Sequence, residues 1–183
     1  MNRLNSTLVL LLAFLAVFAQ STFSGLRHLL HAQIDLLPAL LVFASLRLGL
    51  TALTALAVLG GLCFDALSAN PLGVTVLPLF LTGFVLQHNR ELILRDQAYA
   101  QFVLGALVSA LVPVLTLLLL LSLGETPLLG WGSLWQWLVM AAAGGAVTPL
   151  IFRLFDWLDR WFAYRPVVET TFRLDREIKR GRF

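Results

Sequence analysis

Asp65 lies near the end of a run, Leu36 to Leu67, whose only other charge is Arg47, and Ser68, Asn70, Pro71, Leu72 and Gly73 follow it at once. An ionised carboxylate at membrane depth costs at least ~2.5 kcal/mol on insertion scales, so a partner, a water-filled cavity or a task has to justify it. Two roles fit. Asp65 can accept the free backbone N–H groups of a helix start, with Asn70 as N-cap, Pro71 as first helical residue and Gly73 allowing close approach of another backbone. Alternatively it is a contact for another membrane protein or a proton-responsive group. Turn acceptors are the more common of the two.

A second group, His28, His31 and Asp35, would share one face of a helix, as a metal site requires. A structural zinc site normally takes four ligands, and Asp35 ahead of Leu36-Leu37-Pro38 reads as an ordinary N-cap, so no metal is expected. No G-x-S-x-G motif or glycine-rich phosphate loop is present, and the loops are too short for a soluble catalytic domain. The expectation is a non-enzymatic protein without a cofactor.

The elements that must position these residues are membrane helices. The 183 residues are 59% hydrophobic and 13% charged, about half the charge of a soluble domain, with a mean hydropathy of +0.87. The single cysteine, Cys63, excludes an intramolecular disulfide. The 13 Lys and Arg outnumber the 10 Asp and Glu, but most crowd the C-terminal end and form no stripe on a soluble face. That distribution points to anionic lipid or a cytoplasmic partner, and away from nucleic acid.

A helix crosses ~30 Å of hydrocarbon with about 20 residues. Leu8 to Phe23, Pro71 to Leu86, Ala98 to Leu123 and Leu134 to Ile151 are the evident spans. Leu36 to Leu67 would be a rod of roughly 48 Å, too long for one crossing, so it is expected to divide at Arg47 and Gly49 into two short helices joined by a tight turn. Short cytoplasmic loops retain Lys and Arg. Six crossings with the N-terminus inside place Arg3, Arg47, Arg90, Arg95 and all the tail cations on the inner side, leaving only Arg27 outside. Five crossings would put Arg3 or the tail on the wrong side. For the first helix two readings are open. Arg3, an apolar run and Val17-Phe18-Ala19 resemble a signal peptide cleaved after Ala19, whereas the length of the run and the small residues Ala13, Ala16 and Ala19 favour a retained, packed helix.

Pro78, Pro113 and Pro149 fall inside the fourth, fifth and sixth spans and are expected to kink them. The glycine pairs Gly60-Gly61 and Gly144-Gly145 permit close helix contact. The segment Gln87 to Gln97 is expected at the membrane interface. After the sixth span, Phe152, Phe155, Leu158 and Phe162 oppose Arg153, Asp156, Asp159 and Arg160, a pattern suited to lying along the membrane surface, where Trp157 and Trp161 are also at home. The expected organisation is therefore a transmembrane domain over residues 1–155 and a basic amphipathic cytoplasmic tail over 156–183.

Asp35-Leu36-Leu37-Pro38, the Gly60-Gly61 pair, Asp65, Ser68 and Pro71-Leu72-Gly73 together resemble the bacterial rod shape-determining MreD family. The hydropathy pattern extends this from about Gln33 to Phe155, while the specific residues lie between Gly60 and Gly73. The resemblance implies an all-α integral membrane protein, a six-helix bundle similar to the S components of energy-coupling-factor transporters. It also implies an inner-membrane scaffold subunit of the elongation complex that builds lateral peptidoglycan, with both termini cytoplasmic. The implied partners are MreC, the MreB filament, the glycosyltransferase RodA and the class B penicillin-binding protein. Residues expected to be critical for partner or structure are Asp65, Ser68, Asn70, Pro71, Gly73, Gly61 and Asp35. The alternative is a vitamin-binding S component, for which His28, His31, Gln33, Asp35, Asp65, Ser68, Asn70, Glu125 and Trp131 would supply the polar and aromatic groups.

Overall fold

Leu37 to Leu46 is apolar on every side, with Ser45 its one polar residue, and a helix of that kind is either enclosed by others or faces lipid. The computed structural model, which describes residues 3–22, 35–68, 71–93, 97–125 and 130–162, shows this enclosure. Six helices are described: α1 (Arg3–Thr22), α2 (Leu37–Arg47), α3 (Leu50–Leu67), α4 (Val76–His88), α5 (Ala98–Ser122) and α6 (Trp131–Phe162). Every residue of α2 from Leu37 to Leu46 is buried. Around it, α1, α3, α4, α5 and α6 are each in contact with the next and all five touch α2, while α1 and α6 make no contact among the described residues.

The chain breaks at Leu48-Gly49, where the sequence divided the long run, and extended backbone at both residues separates α2 from α3. Gly60 rests against the Leu37 side chain and Gly83 against Leu41 and Leu53. These contacts make α3 antiparallel to both α2 and α4. At the other end of α2, Phe43 stacks on Phe155, with ring centroids 4.2 Å apart, and meets Phe152 edge-on. Arg47 pairs with Asp156 at 3.3 Å, so α2 and α6 run in the same direction.

The closest helix contact joins α5 and α6. Gly105 and Ser109 are one turn apart on α5, Gly144 and Thr148 one turn apart on α6, and each glycine faces the hydroxyl residue of the other helix. The Thr148 hydroxyl donates back to the Gly144 carbonyl at 2.7 Å, and the Trp137 indole N–H crosses to the Ala110 carbonyl at 2.9 Å. Pro113 and Pro149 stand inside these helices, each removing the backbone bond to the carbonyl four residues earlier, at Ser109 and Gly145.

Three expectations are corrected. The fourth span does not begin at Pro71: residues 72–75 form turns and α4 starts at Val76, with Thr75 rather than Asn70 at its cap. Asn70 itself lies outside the described residues. As a consequence Pro78 sits in the first turn of α4, where its missing N–H has no helical partner to lose, and it causes no kink. Finally, the amphipathic stretch after Ile151 is no separate surface segment. It continues α6 to Phe162, and the apolar side formed by Phe152 and Phe155 is buried on α2 instead of in lipid. Phe43 occupies the place that hydrocarbon would have taken.

Leu50–Leu67, Ala98–Ser122 and Trp131–Arg160 are long and apolar enough to cross a membrane. Their outer faces carry Leu59, Leu62, Leu107, Leu111, Leu118, Leu138 and Leu150, all exposed. An apolar surface of that extent belongs to a protein solvated by hydrocarbon. On α1, Val9, Ala13 and Val17 turn inward, whereas Leu11, Phe14, Leu15 and Phe18 are exposed.

The α5–α6 contact gives a clear prediction. A side chain at Gly144 overlaps Ser109, and a Gly144→Val substitution should cost at least the ~1–3 kcal/mol typical of overpacking. Gly132→Ala, at an open position of the same helix, should leave the melting temperature in detergent unchanged or slightly higher. Equal melting temperatures for Gly144→Val and the wild type would contradict the contact.

Candidate functional site

A helix that starts inside a bundle presents backbone N–H groups that have no helical acceptor. For α4 the acceptor comes from the end of α3. The Asp65 Oδ2 accepts the Gly73 N–H at 2.9 Å and the Thr75 N–H at 3.1 Å, and its Oδ1 accepts the Thr75 hydroxyl. The carboxyl group is 1% exposed. The Asp65 backbone carbonyl meanwhile closes α3 by accepting both the N–H and the hydroxyl of Ser68, each at 3.2 Å. One residue therefore ends one helix with its backbone and begins the next with its side chain.

The turn between them depends on Gly73, whose φ of +93° lies in the left-handed region that other residues adopt only at a cost. A Cβ there would meet nothing within 4 Å, so Gly73 provides conformation and not the close approach expected of it. That role belongs to Gly61: a Cβ on it would lie 3.0 Å from the Val76 Cα and 3.1 Å from the Val76 nitrogen. This contact brings the start of α4 against α3 within reach of Asp65. Pro71 precedes the turn, and its carbonyl accepts the Val74 N–H at 3.4 Å.

Asp65, Ser68, Pro71 and Gly73 thus belong to one unit, with Gly61 beneath it. Asp35 does not join them through any hydrogen bond described here. Its Oδ1 accepts the Leu37 N–H at 2.9 Å at the start of α2, one residue before the helical cap position held by Leu36. Asp35 is itself buried, at 5% exposure. His28 and His31, the other members of the expected metal triad, lie outside the described residues. Among the described residues no three His, Cys, Asp or Glu side chains gather as a metal would require.

Thr75 was missed in the sequence. It supplies two of the three donors to Asp65 and is 3% exposed. Its signal was present: Thr is a common helix cap, and an apolar helix follows directly. Asn70-Pro71 gives the same signal five residues earlier, and without the fold nothing ranks one above the other.

The arrangement has no free acid or nucleophile among these residues. Each oxygen of Asp65 is occupied by a donor that would otherwise be unsatisfied, and chemically the group is a bridge between two helix ends.

Replacing Asp65 by Ala strands the part-buried Gly73 N–H, the buried Thr75 N–H and the Thr75 hydroxyl, each costing ~1–3 kcal/mol, so the variant should lose about 3 kcal/mol or more. Thr75→Val removes one donor and leaves the Asp65 Oδ1 without it, and should cost about 1–3 kcal/mol. Thermal unfolding in detergent tests the order; an Asp65→Ala protein as stable as Thr75→Val would contradict it.

No protein-family model, curated protein or solved structure matches the chain.

Proposed function

We propose that this protein is a non-enzymatic scaffold subunit of the bacterial elongation complex, resident in the inner membrane and similar to the MreD family. In this reading it crosses the membrane six times with both termini in the cytoplasm, and links MreC, the MreB filament, RodA and the class B penicillin-binding protein to maintain cell shape. The observation that carries the reading is the use made of its acids. Asp65 and Asp35 accept backbone donors inside the bundle, an economy suited to a rigid body that offers apolar outer faces to other membrane helices. Of the residues on which the family resemblance rests, Gly61, Asp65, Ser68, Pro71 and Gly73 form one structural unit. Helices α2 and α4, with 11 and 13 residues, are shorter than the usual ~20 for a crossing, and in a six-span protein the longer neighbours shield them from full lipid contact.

A vitamin-binding S component would need polar groups directed at a small molecule, and the two buried acids are directed at their own backbone. The two readings share no expected subunit. Affinity purification from the native membrane in mild detergent should recover MreC, RodA and the transpeptidase, and depletion of the protein should turn rod-shaped cells round. Recovery of an energy-coupling ATPase module, or micromolar binding of a thiamine-like or riboflavin-like compound by calorimetry, would replace this reading with the transporter one.

A further inference from the structure

The contacts between helices place residues at relative depths along the bundle. Arg47 is level with Asp156, Leu37 with Gly60, and α2 is parallel to α6. At 1.5 Å per residue, Asp65 stands about 22 Å above the Arg47–Asp156 pair. On α6, Trp135 stands about 32 Å above the same pair and Trp131 about 38 Å. Trp131 and Trp135 are exposed, as is Trp157 beside Asp156, and exposed tryptophans at two ends of an apolar helix mark the two membrane interfaces. Their separation matches the ~30 Å of hydrocarbon. Gly73, bonded to Asp65, and its neighbour Leu72 therefore stand about 10 Å below the interface that α6 reaches.

The chemistry of the turn agrees with that depth. Among its described residues, the donors of Gly73 and Thr75 are met by the Asp65 carboxyl, those of Ser68 by the Asp65 carbonyl and that of Val74 by the Pro71 carbonyl. Among the described residues, Leu67, Pro71, Leu72 and Leu77 are exposed there, with Leu72 72% exposed. A turn that met water would have no need to bury its acid or to expose leucines. In lipid both are required, because irregular backbone survives there only when its polar groups are satisfied within the protein.

We infer that residues 71–75 of the α3–α4 turn are a lipid-contacting surface submerged in the bilayer, covered by phospholipid acyl chains, with Asp65 as the internal acceptor that makes a turn at that depth possible. This rests on the membrane placement of the bundle and is independent of the scaffold reading.

Single-cysteine proteins with Leu72→Cys, Leu111→Cys or Glu125→Cys, each in a Cys63→Ala background, can be spin-labelled and reconstituted in phosphatidylethanolamine–phosphatidylglycerol vesicles. Leu111 is exposed midway along α5 and Glu125 just beyond its end. The ratio of oxygen to water-soluble nickel-chelate collisions at position 72 should match that at 111 and exceed that at 125 several-fold. A ratio at 72 equal to that at 125 overturns the inference while leaving the membrane placement intact. Water-like ratios at 111 as well would show that the membrane placement itself has failed.

Discussion

The bond between the Asp65 carboxyl and the start of α4 is the constraint on which the rest of the arrangement turns. A chain that reverses direction between two apolar helices exposes carbonyls at one end and N–H groups at the other, and in hydrocarbon neither finds water. Asp65 resolves both. Its position near the end of α3 lets its backbone join the closing turn while its side chain reaches the opening of the next helix. The cost of a buried carboxyl group is offset because each of its oxygens meets a donor that would otherwise be stranded.

The glycines make that reach possible. Without a side chain at Gly61 the backbone of α4 comes close enough for Thr75 to meet Asp65, and Gly73 supplies a left-handed residue in the turn. The same economy appears elsewhere in the bundle. Gly60 and Gly83 admit leucines of neighbouring helices, and Gly105 and Gly144 bring α5 against α6. In a membrane, where apolar side chains gain little by leaving lipid for protein, close packing of this kind is a principal source of helix association.

The central helix illustrates the other half of the design. α2 is only 11 residues long, yet all but its last residue are buried and all five other helices touch it. It is also anchored at both ends by polar contacts, Asp35 to Leu37 at its start and Arg47 to Asp156 at its close. The stacked Phe43, Phe152 and Phe155 couple it to α6 and explain why that helix runs on for 32 residues, past the length a crossing needs.

Much of this was legible in the residues alone. Composition determined a helical membrane protein, the length of the run from Leu36 to Leu67 required a break, and Arg47 with Gly49 located it, because these depend only on local hydrophobicity and on the rise of a helix. Asp65 stood out for the same reason: a charge amid leucines demands an explanation. What only the tertiary structure decided was which donors it meets, since Thr75 and Gly73 reach it through a close approach at Gly61 that no periodicity encodes. The start of α4 at Val76 and the burial of Phe152 and Phe155 were likewise settled between helices. A one-dimensional pattern can say that a face is apolar, but whether lipid or protein covers it depends on which neighbour arrives there.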